Sequence, residues 1–128
     1  AQFLVSPGLD EEVVAGGRDL GVPTTPGVLT PSEVQAAVRL GCSEVKLFPA
    51  GSFGGLDLLH TLSTVFTDIR FMPTGGVDHD GAIDYLRRPE VFAVGGTWIA
   101  PHDLVSSGEW SEIARRATRI RADVDRLR

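Results

Sequence analysis

The chain has 128 residues, of which 42% are hydrophobic and 23% charged, the balance of one globular domain at most. A formal net charge of -5 argues against a nucleic-acid surface, which would need a basic patch. No apolar run approaches the roughly 18 residues of a membrane span, and the opening AQFLVSP has no basic stretch of the kind that begins a signal peptide.

Taken in order, Gln2-Phe3-Leu4-Val5-Ser6 is a short apolar run closed by the turn signal Pro7-Gly8. Asp10 precedes Glu11 and Glu12, which suits a helix start, and Gly21 closes that segment. Gly16 and Gly17 weaken this helix. Residues 22–28 form the next strand, atypical for its prolines and threonines. Thr30-Pro31-Ser32-Glu33 predicts a helix with Thr30 as N-cap, Pro31 in the first turn and Glu33 completing a capping box. Val34, Ala37 and Val38 give its apolar stripe, and Gly41 caps its end.

Residues 43–50, SEVKLFPA, predict a buried strand with a lysine at its centre. Alternation puts Glu44, Lys46 and Phe48 on one face, Val45 and Leu47 on the other. Removal from water favours the neutral form of an amine, and a neutral amine is the nucleophile that forms a Schiff base with a carbonyl. The competing reading is an edge strand whose lysine reaches out to water. Beyond it, Gly51 to Gly55 form a loop, and Leu56, Leu59 and Leu62 share one helix face. Ile69 to Met72 predict a strand closed by Pro73-Thr74-Gly75-Gly76. Asp78 caps a helix carrying Ala82, Ile83 and Leu86, and residues 91–94 form a strand closed by Gly95-Gly96-Thr97. A last helix runs from about Glu109 to the end, with Trp110, Ile113, Ala117, Ile120 and Val124 as its apolar stripe and arginines opposite.

Strands therefore start near residues 2, 23, 43, 69 and 91, alternating with helices. That alternation predicts an α/β fold with a parallel sheet. The pitch suggests a (βα)8 TIM-type barrel of which this chain supplies about the last five βα units, residues 1–128 forming a single domain. An open α/β sheet is the alternative. In a barrel the chemistry sits at the C-terminal strand ends. Here those ends carry two Gly-Gly pairs with Thr74 and Thr97 beside them, suited to a phosphate or carboxylate or simply to tight turns.

These stretches resemble the 2-keto-3-deoxy-6-phosphogluconate (KDPG) aldolase and 4-hydroxy-2-oxoglutarate aldolase family in its C-terminal portion. The matching runs are QFLVSPGL at 2–9, PTTPGVLTPSE at 23–33, EVKLFPA at 44–50, GG at 54–55, RFMPTGGV at 70–77 and VGGTWIAP at 94–101. The resemblance implies a class I lyase that reversibly cleaves a 2-keto-3-deoxy-6-phospho sugar acid to pyruvate and glyceraldehyde 3-phosphate. It implies Lys46 as the Schiff-base residue, Phe48 packed on the substrate, Thr74 at the pyruvate carboxylate and Pro7 lining the pocket. Gly75, Gly76, Gly96 and Thr97 would serve the phosphate. No metal and no cofactor is implied, and a homotrimer is. Thr97 stands where the family commonly has serine, which keeps the hydroxyl. The family's general-base glutamate and a nearby arginine lie on early strands that have no counterpart among these residues. Glu44 is no replacement, being roughly 6.6 Å along the strand toward the wrong end.

Two other readings compete: a non-covalent phosphosugar barrel, such as an epimerase or a thiamine-phosphate-synthase-like enzyme, and an inactive remnant of an aldolase. His60, His79 and His102 lack metal-ligand spacing and read as ordinary side chains. Cys42 reads as a small buried residue rather than a catalytic thiol, and Trp98 as core or interface packing. A lone cysteine also fits a reducing compartment, so a cytoplasmic location is expected.

Overall fold

The computed structural model describes residues 1–127. Its strands are β1 (Leu4–Val5), β2 (Thr24–Thr25), β3 (Gly27–Val28), β4 (Glu44–Leu47) and β5 (Arg70–Pro73). Its helices are α1 (Glu11–Asp19), α2 (Pro31–Arg39), α3 (Gly55–Val65), α4 (His79–Leu86), the short α5 (His102–Ser106) and α6 (Trp110–Leu127), with a 3-10 turn at Gly51–Phe53.

Local chemistry explains most of these boundaries. The Asp10 carboxylate accepts hydrogen bonds from the backbone N–H groups of Glu12 and Val13 and starts α1. At α2 the Thr30 hydroxyl accepts from Glu33 N, and the Glu33 carboxylate accepts from Thr30 N at 2.8 Å, the reciprocal pattern of a capping box. Gly17, expected to weaken α1, has a packing role. A Cβ there would fall 2.1 Å from Thr24 Oγ1, so glycine lets α1 lie close against β2.

All strand pairs are parallel. β1 pairs with β2, while β3, β4 and β5 form a second ladder in that order. The single strand predicted over 22–28 is thus two, split at Pro26. Proline has no N–H to give the ladder, but its carbonyl still accepts from Lys46 N at 2.8 Å, so the chain stays in the sheet. The strand predicted over 91–94 is reduced to two isolated parallel bridges, Phe71 with Val91 and Thr74 with Gly95. Between the bridges β5 advances three residues and its neighbour four. That extra residue breaks a regular ladder in the manner of a bulge.

Alternation then divides the side chains. On one face Val28, Val45, Leu47 and Phe71 are fully buried against Val34 and Ala37 of α2, Leu59 and Leu62 of α3, and Ala82 of α4. Each of the valine, leucine and phenylalanine side chains contributes about 1.5–3 kcal/mol on leaving water. This sheet–helix interface is the core. The opposite face carries Gly27, Glu44, Lys46, Phe48, Met72 and Thr74. Apart from Gly27 its side chains are only half-buried, because these strands do not close on themselves. The α6 stripe is likewise only partly covered. Ile113, Ile120 and Val124 are half-buried, but Trp110, at the exposed first turn, is 63% exposed and does not join them.

Candidate active site

Register fixes what lies beside what on the open face. Glu44 pairs with Arg70, Lys46 with Gly27 on one side and Met72 on the other, and Leu47 with Pro73. Side chains of paired residues in parallel strands share a face. The lysine therefore has glycine on one flank and methionine on the other, with Glu44 and Arg70 one layer below.

Lys46 is half-buried, not buried as the sequence suggested, and the cause is the open face above it. Its Nζ lies 4.4 Å from the centroid of the Phe48 ring, a cation–π contact. Phe48 is in turn seated by Gly75. That glycine has φ +90, and a Cβ on it would lie 3.1 Å from the Phe48 ring. The peptide between Phe48 and Pro49 is cis.

The loops after β4 and β5 are tied together by backbone. Ala50 N donates to Thr74 O at 2.8 Å and Gly51 N to Gly75 O at 2.9 Å, while Thr74 N donates to Leu47 O at 3.0 Å. Thr74 is half-buried, and its hydroxyl donates to Met72 O at 3.3 Å. Gly76, with φ +69, is exposed at the rim. The neighbouring rim is bridged to this one through Gly95, whose N–H donates to Pro73 O at 3.0 Å. Gly96 is required for a different reason than a ligand. A Cβ there would fall 1.7 Å from the Trp98 ring, which occupies that space. The Thr97 side chain stands exposed at the same rim. Pro7 is exposed across the sheet, and its carbonyl lies 2.1 Å from where a Cβ on Gly27 would be. Gly27 is itself the register partner of Lys46.

The structure thus brings Lys46, Phe48 and Gly75 into direct packing and sets Thr74 just past the end of the adjoining strand, where it bridges to Gly95. Gly76, Thr97, Gly96 and Pro7 lie at the same end of the sheet. Among the described residues no three His, Cys, Asp or Glu side chains gather as a metal ion would need.

Three features escaped the sequence reading. Lys46 is the only lysine: the other eleven of the twelve basic residues are arginine. That count alone singles the residue out. Arg70 forms an ion pair with Glu44 and lies 5.3 Å from the Phe92 ring. Only the strand pairing reveals it, because 26 residues separate the partners. The third is the partner of His79, a surface or structural histidine on the sequence reading: it bridges two helices through Asp123 at 3.0 Å.

A family model described as KDPG and KHG aldolase matches residues 1–116. The chain is 44% identical over 115 residues to a 2-dehydro-3-deoxy-phosphogluconate aldolase of Pseudomonas aeruginosa, covering 90% of this chain and 52% of that protein. A protein of the same description from Treponema pallidum is 39% identical over 113 residues, 88% of this chain and 54% of its own length. The chain therefore spans about half the length of the curated relatives it matches. Among solved structures, a KDPG aldolase from Legionella pneumophila, with pyruvate captured as a covalent carbinolamine intermediate, superposes with a TM-score of 0.88 at 35% identity. It is covered over 58% of its length, by 94% of this chain. A 4-hydroxy-2-oxoglutarate/2-dehydro-3-deoxyphosphogluconate aldolase from TTHB1 gives a TM-score of 0.82 at 43% identity, over all of this chain and 60% of that one. The parallel βα units are accordingly those of a (βα)8 barrel, present here as an open part of it.

Proposed function

The chain belongs to the KDPG and KHG aldolase family, and from that premise we propose that Lys46 is the Schiff-base residue of a class I aldolase acting on 2-keto-3-deoxy-6-phosphogluconate. The observation that carries this reading is the placement of the chain's only lysine. It stands on the open face of β4, its Nζ over Phe48, below the Thr74-Gly75-Gly76 turn.

In the proposed reaction the Lys46 amine adds to the keto carbon of the sugar acid, and loss of water gives an iminium. The C3–C4 bond then breaks as the proton leaves the C4 hydroxyl, and its electron pair moves into the iminium to give an enamine. Glyceraldehyde 3-phosphate departs, the enamine is protonated at carbon, and hydrolysis returns pyruvate and free Lys46. Phe48 stabilises the cationic nitrogen by the same ring-face attraction that holds the ammonium. We assign Thr74 to the pyruvate carboxylate, Pro7 to the pocket wall, and Gly75, Gly76, Gly96 and Thr97 to the phosphate. Gly75 and Gly96 also have packing duties toward Phe48 and Trp98.

The domain is read as the C-terminal portion of the barrel. The whole assembly is proposed to be a homotrimer in the cytoplasm, working in the Entner–Doudoroff pathway, with small molecules as its ligands. The lone Cys42 fits that reducing compartment.

The test is incubation with pyruvate and borohydride, followed by intact-mass measurement and peptide mapping. The expected result is one reduced pyruvate adduct on Lys46, absent from Lys46→Ala. A folded chain that gives no adduct would favour a non-covalent phosphosugar barrel. Cleavage by Lys46→Ala at the parent rate would end the Schiff-base reading.

A further inference from the structure

We propose that Arg116, held by Glu112, is a positioning residue for the Gly96-Thr97 rim and so sets the affinity for the phosphate end of a ligand. This deepens the function read above and rests on Gly96 and Thr97 serving the phosphate.

Beyond Gly95 the rim leaves the sheet. Gly95 N donates to Pro73 O at 3.0 Å, and the last parallel bridge is Thr74 with Gly95. Ala100 N then turns back to Thr97 O at 3.2 Å, a bond internal to the segment. Among the described residues a single hydrogen bond ties residues 96–100 to the rest of the chain: Arg116 Nη1 donates to Trp98 O at 2.7 Å. The other hold is packing. The Trp98 ring fills the space of a Cβ on Gly96, 1.7 Å away, and packs in turn against the core. Fixing the Trp98 backbone therefore fixes the surface on which the Gly96 peptide rests.

Arg116 is itself fixed. One turn back along α6, Glu112 Oε1 accepts from Arg116 Nε at 2.7 Å. Arg115 grips the same carboxylate, with Nε at 2.7 Å from Oε2 and Nη2 at 2.7 Å from Oε1. A guanidinium carries donors on separate nitrogens, so one side chain can bond a carboxylate on its own helix and a carbonyl on the rim together. Arg116 is 36% exposed where Arg115 is 65%, so water competes less for the bond that reaches the rim.

Without that bond residues 96–100 keep their packing but lose their tie to α6. A phosphate must then order the Thr97 hydroxyl and the Gly96 backbone as it binds, which lowers its affinity. Pyruvate at Lys46 is served by β4 and the Gly75 turn, so its trapping does not share the loss. A bond that only braced α6 against the sheet would change stability and leave phosphate affinity where it was.

The experiment measures binding of glycerol 3-phosphate by phosphorus NMR, with glycerol as the control, and pyruvate trapping by borohydride on the same preparations. The chains are the parent, Arg116→Met, Arg115→Met, Thr97→Ala and the Thr97→Ala/Arg116→Met double variant, each checked for folding by circular dichroism. Methionine keeps the apolar stem of the arginine. Arg116→Met is expected to bind glycerol 3-phosphate about tenfold more weakly, the weight of one hydrogen bond to a charged group, while pyruvate trapping falls by less than about twofold. Arg115→Met, which shares Glu112 but does not reach the rim, should bind as the parent does. Thr97→Ala should weaken binding in the parent but add less than about twofold to Arg116→Met, because an unplaced hydroxyl has little left to lose. Unchanged affinity in Arg116→Met, an equal loss in Arg115→Met, or independent effects of Thr97 and Arg116 overturn the proposal. Should Arg116→Met fail to fold, Glu112→Gln frees the guanidinium without removing it and faces the same criteria. A parent chain that binds no glycerol 3-phosphate overturns the proposal together with the phosphate assignment. A failed pyruvate trap strikes only the Schiff-base reading and leaves the affinity series to decide the role of Arg116.

Discussion

At the residue scale the site depends on what glycine leaves empty. Gly75 has φ +90 and lies against the Phe48 ring, which in turn faces Lys46 Nζ. Gly75→Ala meets two penalties: a left-handed backbone that costs about 1–2 kcal/mol for a residue with a Cβ, and a methyl group 3.1 Å from the ring. The ring must shift, and Lys46 loses the surface that orients it. The expected outcome is a chain that melts a few degrees lower and traps pyruvate at least about tenfold more slowly, since small misplacements at a reacting group carry large rate penalties. Trapping at the parent rate would mean that Phe48 does not orient Lys46. The sequence put Lys46 inside β4 and Thr74 in the turn that closes β5, because alternation and turn signals are local, but it ran the strand on through Phe48, which lies one residue past the end of β4. It could not supply the seat beneath Phe48, since that contact joins two loops. Nor could it show that Gly96 is shaped by Trp98 rather than by a ligand alone.

At the element scale, helix signals proved easier to read than strand signals. Thr30, Pro31 and Glu33 announce α2 within four residues, because a cap is local chemistry. Burial acts against ionisation of Glu33, yet bonds from Leu29 N, Thr30 N and the Thr30 hydroxyl hold its carboxyl below the usual value. The strands are harder because they are defined by partners. Pro26 divides one, and an extra residue reduces another to bridges, both invisible to periodicity. The arginine-rich face of α6 was legible as charged, and its pattern of pairs follows from helical spacing. Glu112 takes hydrogen bonds from Arg115 and Arg116, which hold its carboxyl down to about 2. Because the folded value lies below the ordinary 4.5, the stabilisation is present above about 4.5 and is lost as pH falls toward about 2. Denaturant unfolding followed across that range should therefore show a smaller acid loss in Glu112→Gln than in the parent. Equal slopes would mean that these exposed pairs contribute nothing to folding, as isolated surface pairs often do.

At the scale of the whole molecule the question is what an open barrel can do. The core lies between sheet and helices and is well buried, while the face that carries Lys46 stays open. The chemistry divides differently. Imine formation needs an amine, the role proposed for Lys46. Bond cleavage also needs a base for the C4 hydroxyl proton, and among the described residues the carboxylate that the open face carries, Glu44, is committed to Arg70 and lies a layer below. The two half-reactions should therefore separate in this 128-residue chain. Pyruvate trapping should proceed, while cleavage of 2-keto-3-deoxy-6-phosphogluconate should run about 100- to 10,000-fold slower than in a full-length relative, the usual worth of a positioned acid–base group. The measurement pairs a borohydride trap with a coupled assay for glyceraldehyde 3-phosphate on one preparation. Cleavage at a relative's rate would place a competent base within these residues. Loss of both activities on a folded chain would mean that the lumen must be closed before Lys46 can hold a substrate at all. The predicted middle case, imine without turnover, would locate the division between nucleophile and base at the boundary between these βα units and the rest of a closed barrel.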